Sequence, residues 1–451
     1  MRNASNGYTL PQSLEVETLR LLEDSAVSPQ VISPQLLQPW LQAQSVNVNR
    51  HIAALRPFRE RDFGTTAASP SSAHLSAANE LILPLRSQLK KIAYQVKISS
   101  IAARKNPHPA KFNRLLHYKD RGSKWVKLVE KIWDFYWEIF TQRQTRFGSL
   151  LLGADRIALD CYQVIYTHLG VAKSIPTPGA FSYMETGFSP AAFRRGIPLT
   201  KLGKQINPFP LIQLPYHRLV NPWTLGAILH EVAHGLQTDL NLRRAVPLAI
   251  ARRLHRAGMS PVVIKTWCRW DSEMWADVCG MLLGGPVTVE SLMDIAARSP
   301  EITLLFRTDK PHPTPFLRIF INLELLSRMG FAASARQYCS MWKMLYPDPC
   351  AGNIPQEILR TFHRAKRLVV DTLCFTPFAE LGDRTLAQVT GEFQPRHQQM
   401  IAEAGRRLAT GKDPGIIPER FLIGASRWAL NKRLAKPQRI TDNFYRALEK
   451  R

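Results

Sequence analysis

The segment His230-Glu231-Val-Ala-His234 constrains this chain more than any other feature, because the HExxH spacing brings both histidines together only on a helix. An offset of four residues places the two imidazoles one turn apart on the same helix face. Two such imidazoles can bind one zinc ion, and Glu231 lies beside them, where it can accept a proton from a metal-bound water. The alternative is a helix with two partly buried, hydrogen-bonded histidines, so the assignment needs a third protein ligand.

The residues around the motif favour a helix. Asn221-Pro222 is a capping residue followed by a proline that the first helical turn tolerates. Apolar side chains recur at helical spacing and predict a buried flank: Leu225, Ile228, Leu229, Val232 and Leu236. The glycine that follows His234 is expected to give the backbone room beside the metal.

A second segment, residues 270–280, supplies the candidate for the third ligand. Read as a helix, it places Glu273 and Asp277 four residues apart on one face. Glu273 can complete a His2Glu set with one open position, the arrangement of catalytic zinc sites. Asp277 can accept the free N–H of a ligating histidine and fix its tautomer. A solvated helix face is the alternative, but the flanking residues are large and apolar.

Two other residues could supply the third ligand. Asp239 lies so near along the same helix that its carboxylate converges on the histidines with difficulty. His255 lies in an arginine-rich stretch, ARRLHRAG, whose charge would repel a cation. Glu273 is therefore the preferred ligand.

The spacing of these motifs also resembles that of a known group of metallopeptidases. HExxH followed by a helix with an ExxxD spacing is similar to the gluzincin metallopeptidases. Residues 312–319, which read HPTPFLRI, match an HPxxxxRI pattern and resemble the signature of the CAAX-prenyl-protease/HtpX-type peptidases. Gly179-Ala180-Phe181 resembles the Asn-Ala-Phe that precedes the substrate-flanking strand in that family, and Leu211–Leu214 could supply the strand. The resemblance covers about residues 175–330.

The resemblance implies roles for particular residues. His230, His234 and Glu273 match the zinc ligands, and Glu231 matches the catalytic base. Asp277 matches the carboxylate that supports the ligands. His312 and Arg318 match residues near the cleft: His312 could stabilise the oxyanion or contact substrate, with a buried turn residue as the alternative, and Arg318 is expected to pair with a carboxylate. Three departures stand out: Pro311 precedes His312, Gly179 replaces asparagine, and the family's membrane spans are missing.

Charge divides the chain into regions. The 451 residues carry a formal charge of +25, with a net −1 in residues 1–80. Residues 81–150 carry +11, whereas 151–350 carry +7 and 351–451 carry +8. The segment GTTAASPSSAHLSAAN, residues 64–79, has the composition of a linker. Together, the charge distribution and this segment predict five regions: an N-terminal helical region 1–63, a linker 64–79, a basic helical region 80–150, a zincin-like metallopeptidase domain 151–350 and a basic C-terminal helical region 351–451. The expected class is α+β with helix dominant.

A helix over residues 123–147 is expected, started by Gly122-Ser123. Its apolar stripe, which runs from Trp125 to Phe140, is expected to pack in a core, with a nucleic-acid stacking surface as the alternative. The sequence contains no run of about 18 apolar residues, so no membrane span is expected. The N-terminus lacks a signal-peptide pattern and the six cysteines form no CxxC pair, so a cytoplasmic protein is expected.

Two functions from different classes follow. The first is a zinc-dependent peptidase with one zinc ion, which hydrolyses a protein or peptide substrate with a metal-activated water and Glu231 as general base. The second is a basic nucleic-acid-binding or scaffold protein in which the zincin-like domain is structural or an attached processing activity. In it, nucleic acid or an acidic partner would contact the flanks Arg86–Lys131 and the C-terminal region.

Overall fold

Helices make up most of the structure. The computed structural model describes residues 34–170 and 174–451. Within them, the predicted helix-dominant fold with a small strand component is confirmed. The helices of eight or more residues are Pro34–Ala54, Ser72–Lys105, Pro109–Thr141, Gly148–Leu169, Gly226–Asp239, Leu242–Arg256, Pro261–Arg269, Asp271–Gly284, Pro286–Ala296, Pro315–Leu326, Ala332–Leu345, Gln356–Phe375, Pro395–Thr410, Phe421–Asn431 and Pro437–Glu449. The shorter helices are Tyr216–Leu219, Pro300–Thr303 and Leu386–Val389.

The strands lie between the helices Gly148–Leu169 and Gly226–Asp239. They are β1 (Phe181–Met184), β2 (Ala191–Phe193), β3 (Pro198–Leu199), β4 (Gln205–Ile206) and β5 (Leu211–Leu214). Three of them form a mixed sheet in the order β1-β5-β2, in which β1 is parallel and β2 antiparallel to β5. Strands β3 and β4 form an antiparallel pair. In the three-stranded sheet β5 is therefore central, and β2 is an edge.

The chain folds into two compact units. Unit 1 comprises the described residues up to Arg56 together with Leu83–Glu130, and unit 2 comprises Pro57–Ile82 and Lys131–Arg451. Each unit is discontinuous in sequence, so the five predicted regions remain a prediction. No helix among the described residues is long and apolar enough to cross a bilayer.

Residues 72–79 belong to the helix Ser72–Lys105, although their composition predicts a linker. Leu75, Ala77 and Ala78 are buried there. Small uncharged residues are common in linkers, but alanine is also the best helix former and allows close packing. Composition alone does not separate the two outcomes.

Gly122-Ser123 does not start a helix, because both residues lie inside the helix Pro109–Thr141. The Ser123 hydroxyl donates to the carbonyl of Lys119 one turn earlier, which satisfies it within the helix. The aromatic stripe behaves as the core interpretation predicts. Tyr136 and Phe140 are buried in unit 2, with ring contacts to Phe209 and Phe181 respectively.

Three helices position the candidate site in unit 2. We call them the HExxH helix (Gly226–Asp239), the acidic helix (Asp271–Gly284) and the Arg318 helix (Pro315–Leu326). The acidic helix approaches the HExxH helix closely at Gly280, where an added Cβ would lie 3.3 Å from the backbone nitrogen of His230. The crossing point therefore lies at the first histidine of the motif.

Gly235, the residue after His234, makes room for a neighbouring side chain. An added Cβ would lie 2.4 Å from the hydroxyl oxygen of Tyr162, which is buried on the helix Gly148–Leu169. The sequence analysis expected this glycine to give room beside the metal. In the structure, its missing side chain instead lets the HExxH helix pack against Tyr162.

Gly235→Ala is expected to destabilise the protein by about 1–3 kcal/mol, because the new methyl group overpacks a buried contact. Adding Tyr162→Phe should recover most of the loss, since it removes the clashing oxygen. Thermal or denaturant unfolding of both variants measures the effect. Gly122→Ala is the control, because its Cβ would meet only the Ile92 side chain at 3.5 Å. Equal stability of the two alanine variants would contradict the packing argument.

Candidate metal centre

The HExxH helix brings its two histidines together as the spacing predicts. The Nε2 atoms of His230 and His234 lie 3.2 Å apart. The His234 side chain is buried and that of His230 is largely so, because the helix is packed on several sides. Two nitrogen lone pairs can therefore face one point in a site with little solvent.

Glu273 on the acidic helix completes the group. Its Oε2 atom lies 3.4 Å from His230 Nε2, and its Oε1 atom lies 3.5 Å from His234 Nε2. The potential ligand atoms of the three residues all lie within 4.8 Å of one another, as a metal site requires. Glu273 is 7% exposed, and its buried Oε2 faces the imidazole nitrogens of His230 and His312 but accepts no well-aligned hydrogen bond. A buried carboxylate oxygen without a well-aligned donor fits a site that takes a cation.

Asp277 holds His230 from the opposite side of the ring. His230 Nδ1 lies 2.8 Å from Asp277 Oδ1, and because an ionised carboxylate only accepts, Nδ1 carries the proton. Arg318 donates twice to Asp277, from Nε at 2.6 Å and from Nη2 at 2.7 Å. Asn322 donates a further bond of 3.2 Å. These bonds leave Nε2 of His230 free to face Glu273 and His234.

The two imidazoles have different electrostatic environments. For His230, burial opposes the charged form, but bonding to Asp277 and the nearby Glu273 outweighs it and raises the pKa to about 10. For His234, burial and then the neighbouring His230 charge lower the pKa to about 3. Burial also opposes ionisation of the Glu273 and Asp277 carboxylates. The partners His230 and Arg318 nevertheless hold the pKa values of Glu273 and Asp277 well below their ordinary range.

Ser272 and Arg194 contact the second histidine, and the sequence analysis identified neither. Ser272 Oγ lies 3.3 Å from His234 Nδ1, and Arg194 Nη2 lies 3.3 Å from that hydroxyl and 3.4 Å from Nδ1. An arginine can only donate, so the hydroxyl oxygen can accept from both groups and keep the Nδ1 proton in place. The one sequence signal for the position of Ser272 is that this residue directly precedes Glu273.

Glu231 is buried beside the group and faces the edge strand β2. The backbone of Ala192 lies beside its carboxylate. Burial is the main influence and raises the pKa of Glu231 above its ordinary value, with opposing contributions from His230 and Arg318. A carboxylate of raised pKa beside a cation site suits proton transfer near neutral pH.

His312 and Arg318 occupy different positions. His312 Nε2 lies 3.1 Å from Glu273 Oε2, and its side chain is 57% exposed, so it borders the opening of the site. Arg318 is largely buried, and its main partner is Asp277, as the sequence analysis expected for an arginine that pairs with a carboxylate.

A cavity of about 160 Å³ opens directly beside these residues. His230, Glu231, Asp277, His312 and Arg318 line its polar side. Its apolar wall is formed by Pro190, Ala227, Leu292 and Ile295. A larger cavity of about 410 Å³ elsewhere in unit 2 contains none of the candidate site residues.

The strand expected to flank a substrate is not the one that borders the site. Leu211–Leu214 is β5, and both of its edges are already paired. Gly179 lies before β1, where its carbonyl contacts His74. The accessible edge near Glu231 belongs to β2, Ala191–Phe193, which the sequence analysis did not select because three residues give too short a pattern.

The rival ligands lie outside the group. Asp239 ends the HExxH helix and His255 is exposed near the end of the helix Leu242–Arg256. Among residues 34–170 and 174–451, only His230, His234 and Glu273 form a cluster of three potential ligands. The structure thus contains one group that could hold a metal ion.

Comparison with protein families, with curated proteins and with solved structures finds no match to this chain. The resemblance to the gluzincin and CAAX-prenyl-protease/HtpX-type peptidases therefore extends no further than the sequence motifs. The zincin-like fold remains a prediction.

Asp277→Asn is expected to weaken zinc binding by about 10- to 100-fold, because the substitution removes the charge that fixes the His230 tautomer and compensates Arg318. Competition with a chromophoric chelator measures the affinity. Asp383→Asn, at an exposed position, is the control and should bind zinc like the unmodified protein. Unchanged zinc affinity of the Asp277 variant would contradict the role given to this carboxylate.

Proposed function

We propose that this protein is a zinc-dependent peptidase that uses Glu231 as its general base. The observation that carries the proposal is the convergence of His230, His234 and Glu273 beside a buried Glu231 and an open cavity. A purely structural metal site is normally closed by four protein ligands. Three ligands next to a cavity support a site at which chemistry occurs.

The donor set suits zinc. Two imidazole nitrogens and one carboxylate oxygen form a set common in catalytic zinc sites, whereas Mg²⁺ and Ca²⁺ prefer oxygen ligands. Two ionised carboxylates, Glu273 and Asp277, face the group, together with the guanidinium of Arg318 beside Asp277 and that of Arg194 beside His234. A zinc ion bound by such a set acts as a Lewis acid and lowers the pKa of its water towards about 7.

Glu231 is the residue placed to move protons. It can accept a proton from the attacking water and return it to the leaving amine, and a pKa raised from its ordinary value towards neutral pH suits a group that does both. The backbone of Ala192 in strand β2 lies beside this carboxylate. His312 borders the cavity, where it can donate to the oxygen of a substrate carbonyl as negative charge develops there.

Strand β2 supports a peptide as the substrate. It is the edge of the three-stranded sheet and lies against the HExxH helix through the contact between Ala192 and Glu231. An extended peptide can add to an exposed edge by backbone hydrogen bonds, which fixes its scissile bond without reading its sequence. The sheet edge and the three ligands thus suit hydrolysis of an amide in an extended chain.

Glu231→Gln is the direct test. The amide keeps the shape of the side chain but cannot accept a proton, so we expect peptide hydrolysis to fall at least 100-fold while zinc stays bound. Cleavage of a peptide library by mass spectrometry and metal analysis of the purified protein measure the two properties. Prolonged dialysis against a strong chelator should abolish cleavage, and added zinc should restore it.

Glu449→Gln is the matched control, because Glu449 is exposed on the last helix. It should cleave and bind zinc like the unmodified protein. Absence of stoichiometric zinc would overturn the proposal. So would equal cleavage by the Glu231 variant and the control.

The cavity beside His230 predicts a preference in the substrate. Its volume of about 160 Å³ is close to that of a cavity that holds one benzene-sized group, and its wall is apolar. We therefore expect a substrate side chain the size of leucine or phenylalanine next to the scissile bond. Ala227 lies one turn before His230 on the cavity wall.

Ala227→Leu should fill the cavity and shift the preference to alanine or glycine at that substrate position. We expect the ratio of kcat/KM for leucine over alanine substrates to fall about 10-fold or more. Leu248→Met, a conservative change at an exposed position, is the control. An unchanged ratio in the Ala227 variant would show that this cavity does not hold the substrate side chain.

A further inference from the structure

Unit 1 is strongly and unevenly charged. Its described residues, 34–56 and 83–130, contain 14 lysines and arginines and 2 acidic residues, a net charge of +12. The acidic residues are Asp120 and Glu130, and Asp120 pairs with Lys124 at the surface. Most of the cations are therefore not compensated by acidic residues of the unit.

Tyr94 lies at the centre of an exposed cluster in this unit. Its side chain is 61% exposed on the helix Ser72–Lys105. Lys90, Lys91 and Lys97 stand three or four residues from it, and all three are exposed. At this spacing the four side chains share one helix face. The structure gives none of the three lysines an ion-pair or hydrogen-bond partner among the described residues.

A groove continues this face along the helix. It measures about 280 Å³ and lies between the helices Pro34–Ala54 and Ser72–Lys105. Lys97 and Arg104 border it on one side, and the amides of Gln38 and Gln42 border it on the other. From Lys90 to Arg104 the helix rises about 20 Å, which is long enough for several nucleotides of a strand.

The cluster has the two parts that a single-stranded nucleic acid requires. Exposed lysines can contact successive phosphates, and an exposed aromatic ring can stack on a base of any sequence. A membrane surface fits less well, because insertion needs a continuous apolar face. On this helix Leu89, Ile92 and Val96 are buried, and the exposed Leu83 and Ile98 stand 15 residues apart, so they form no continuous apolar face.

The basic C-terminal region differs from unit 1 because several of its cations form largely buried ion pairs. Arg420 pairs with Asp160 at 2.8 Å, and Arg427 pairs with Glu290 at 2.6 Å. Lys366 pairs with Glu324 at 3.2 Å. These ion pairs lie in unit 2 and are largely buried, so part of the C-terminal charge serves the fold.

We propose that unit 1 binds single-stranded nucleic acid through the face formed by Tyr94, Lys90, Lys91 and Lys97, with a base stacked on Tyr94 and phosphates on the lysines. The groove bordered by Lys97 and Arg104 receives the continuing strand. This function uses no residue of the metal centre and goes beyond the proposed hydrolysis.

The test is the affinity of the full-length protein for a fluorescent 20-nucleotide oligothymidylate, measured by anisotropy over a range of salt concentrations. Tyr94→Ala should weaken binding about 5-fold or more at fixed salt, because base stacking is lost, whereas Tyr94→Trp should retain it. Replacing Lys90, Lys91 and Lys97 with glutamine should reduce the slope of log affinity against log salt by about 2.

A matched triple variant separates a site from a general charge effect. Lys412, Lys432 and Lys436 are exposed lysines of the C-terminal region, and their replacement with glutamine changes the net charge by the same amount. This control should bind like the unmodified protein. An RNA of equal length, a DNA duplex and vesicles with anionic lipid complete the set, and the single strands should bind tightest.

Four outcomes would overturn the proposal: no binding by the unmodified protein, equal binding by Tyr94→Ala, equal weakening by the control triple variant, or tighter binding to duplex or vesicles. Tyr94 and the lysines are exposed, so we expect their replacement to leave the fold intact, and unfolding curves of each variant check this directly.

Discussion

The carboxylate of Asp277 is the interaction on which the candidate metal centre depends. It is almost fully buried, and an ion in that position is costly unless donors surround it. Four bonds from His230, Arg318 and Asn322 supply those donors and tie the HExxH helix, the acidic helix and the Arg318 helix together. The same bonds fix the tautomer of His230. Loss of the charge would therefore disturb the packing and the ligand geometry at once.

The two histidines of the motif are equivalent in sequence but not in their surroundings. His230 bonds to a buried carboxylate, whereas His234 contacts the Ser272 hydroxyl and the cationic Arg194. A carboxylate makes an imidazole a stronger donor to a metal, and a neighbouring cation makes it a weaker one. As ligands of a metal ion, His230 would therefore be the stronger nitrogen donor and His234 the weaker one. Arg194 also places a positive charge directly after strand β2.

The sequence identified the members of the site because helical periodicity acts over short distances. The offsets within 230–234 and 273–277 place each pair on a single helix face, and the structure brings both faces together. Gly280 could not be recognised as the crossing point, because a contact between two helices depends on both partners. Arg194 and strand β2 were missed for the same reason. Their roles depend on a short edge strand whose three residues carry no periodic signal.

Sequence-based prediction has a second limit, which residues 72–79 and Gly122-Ser123 show. Ala and Ser in residues 72–79 satisfy both a linker and a closely packed helix, and Gly122-Ser123 satisfies both a helix start and a helix interior. Local composition does not decide between these alternatives, whereas tertiary burial does. Leu75 and Ala78 are buried, which adds an apolar contribution that a free linker would lack.

The net charge of the chain indicates a charged partner only after the cations that form ion pairs within the fold have been identified. The chain carries +25, yet Arg318, Arg420 and Arg427 neutralise buried or half-buried carboxylates and contribute to the fold of unit 2. In unit 1 the acidic partners are nearly absent, so most of the positive charge faces solvent and gains nothing from folding. Self-repulsion of that charge destabilises a compact unit. An anionic partner would remove this cost, whereas the metal centre already contains the counter-charges that its own arginine requires.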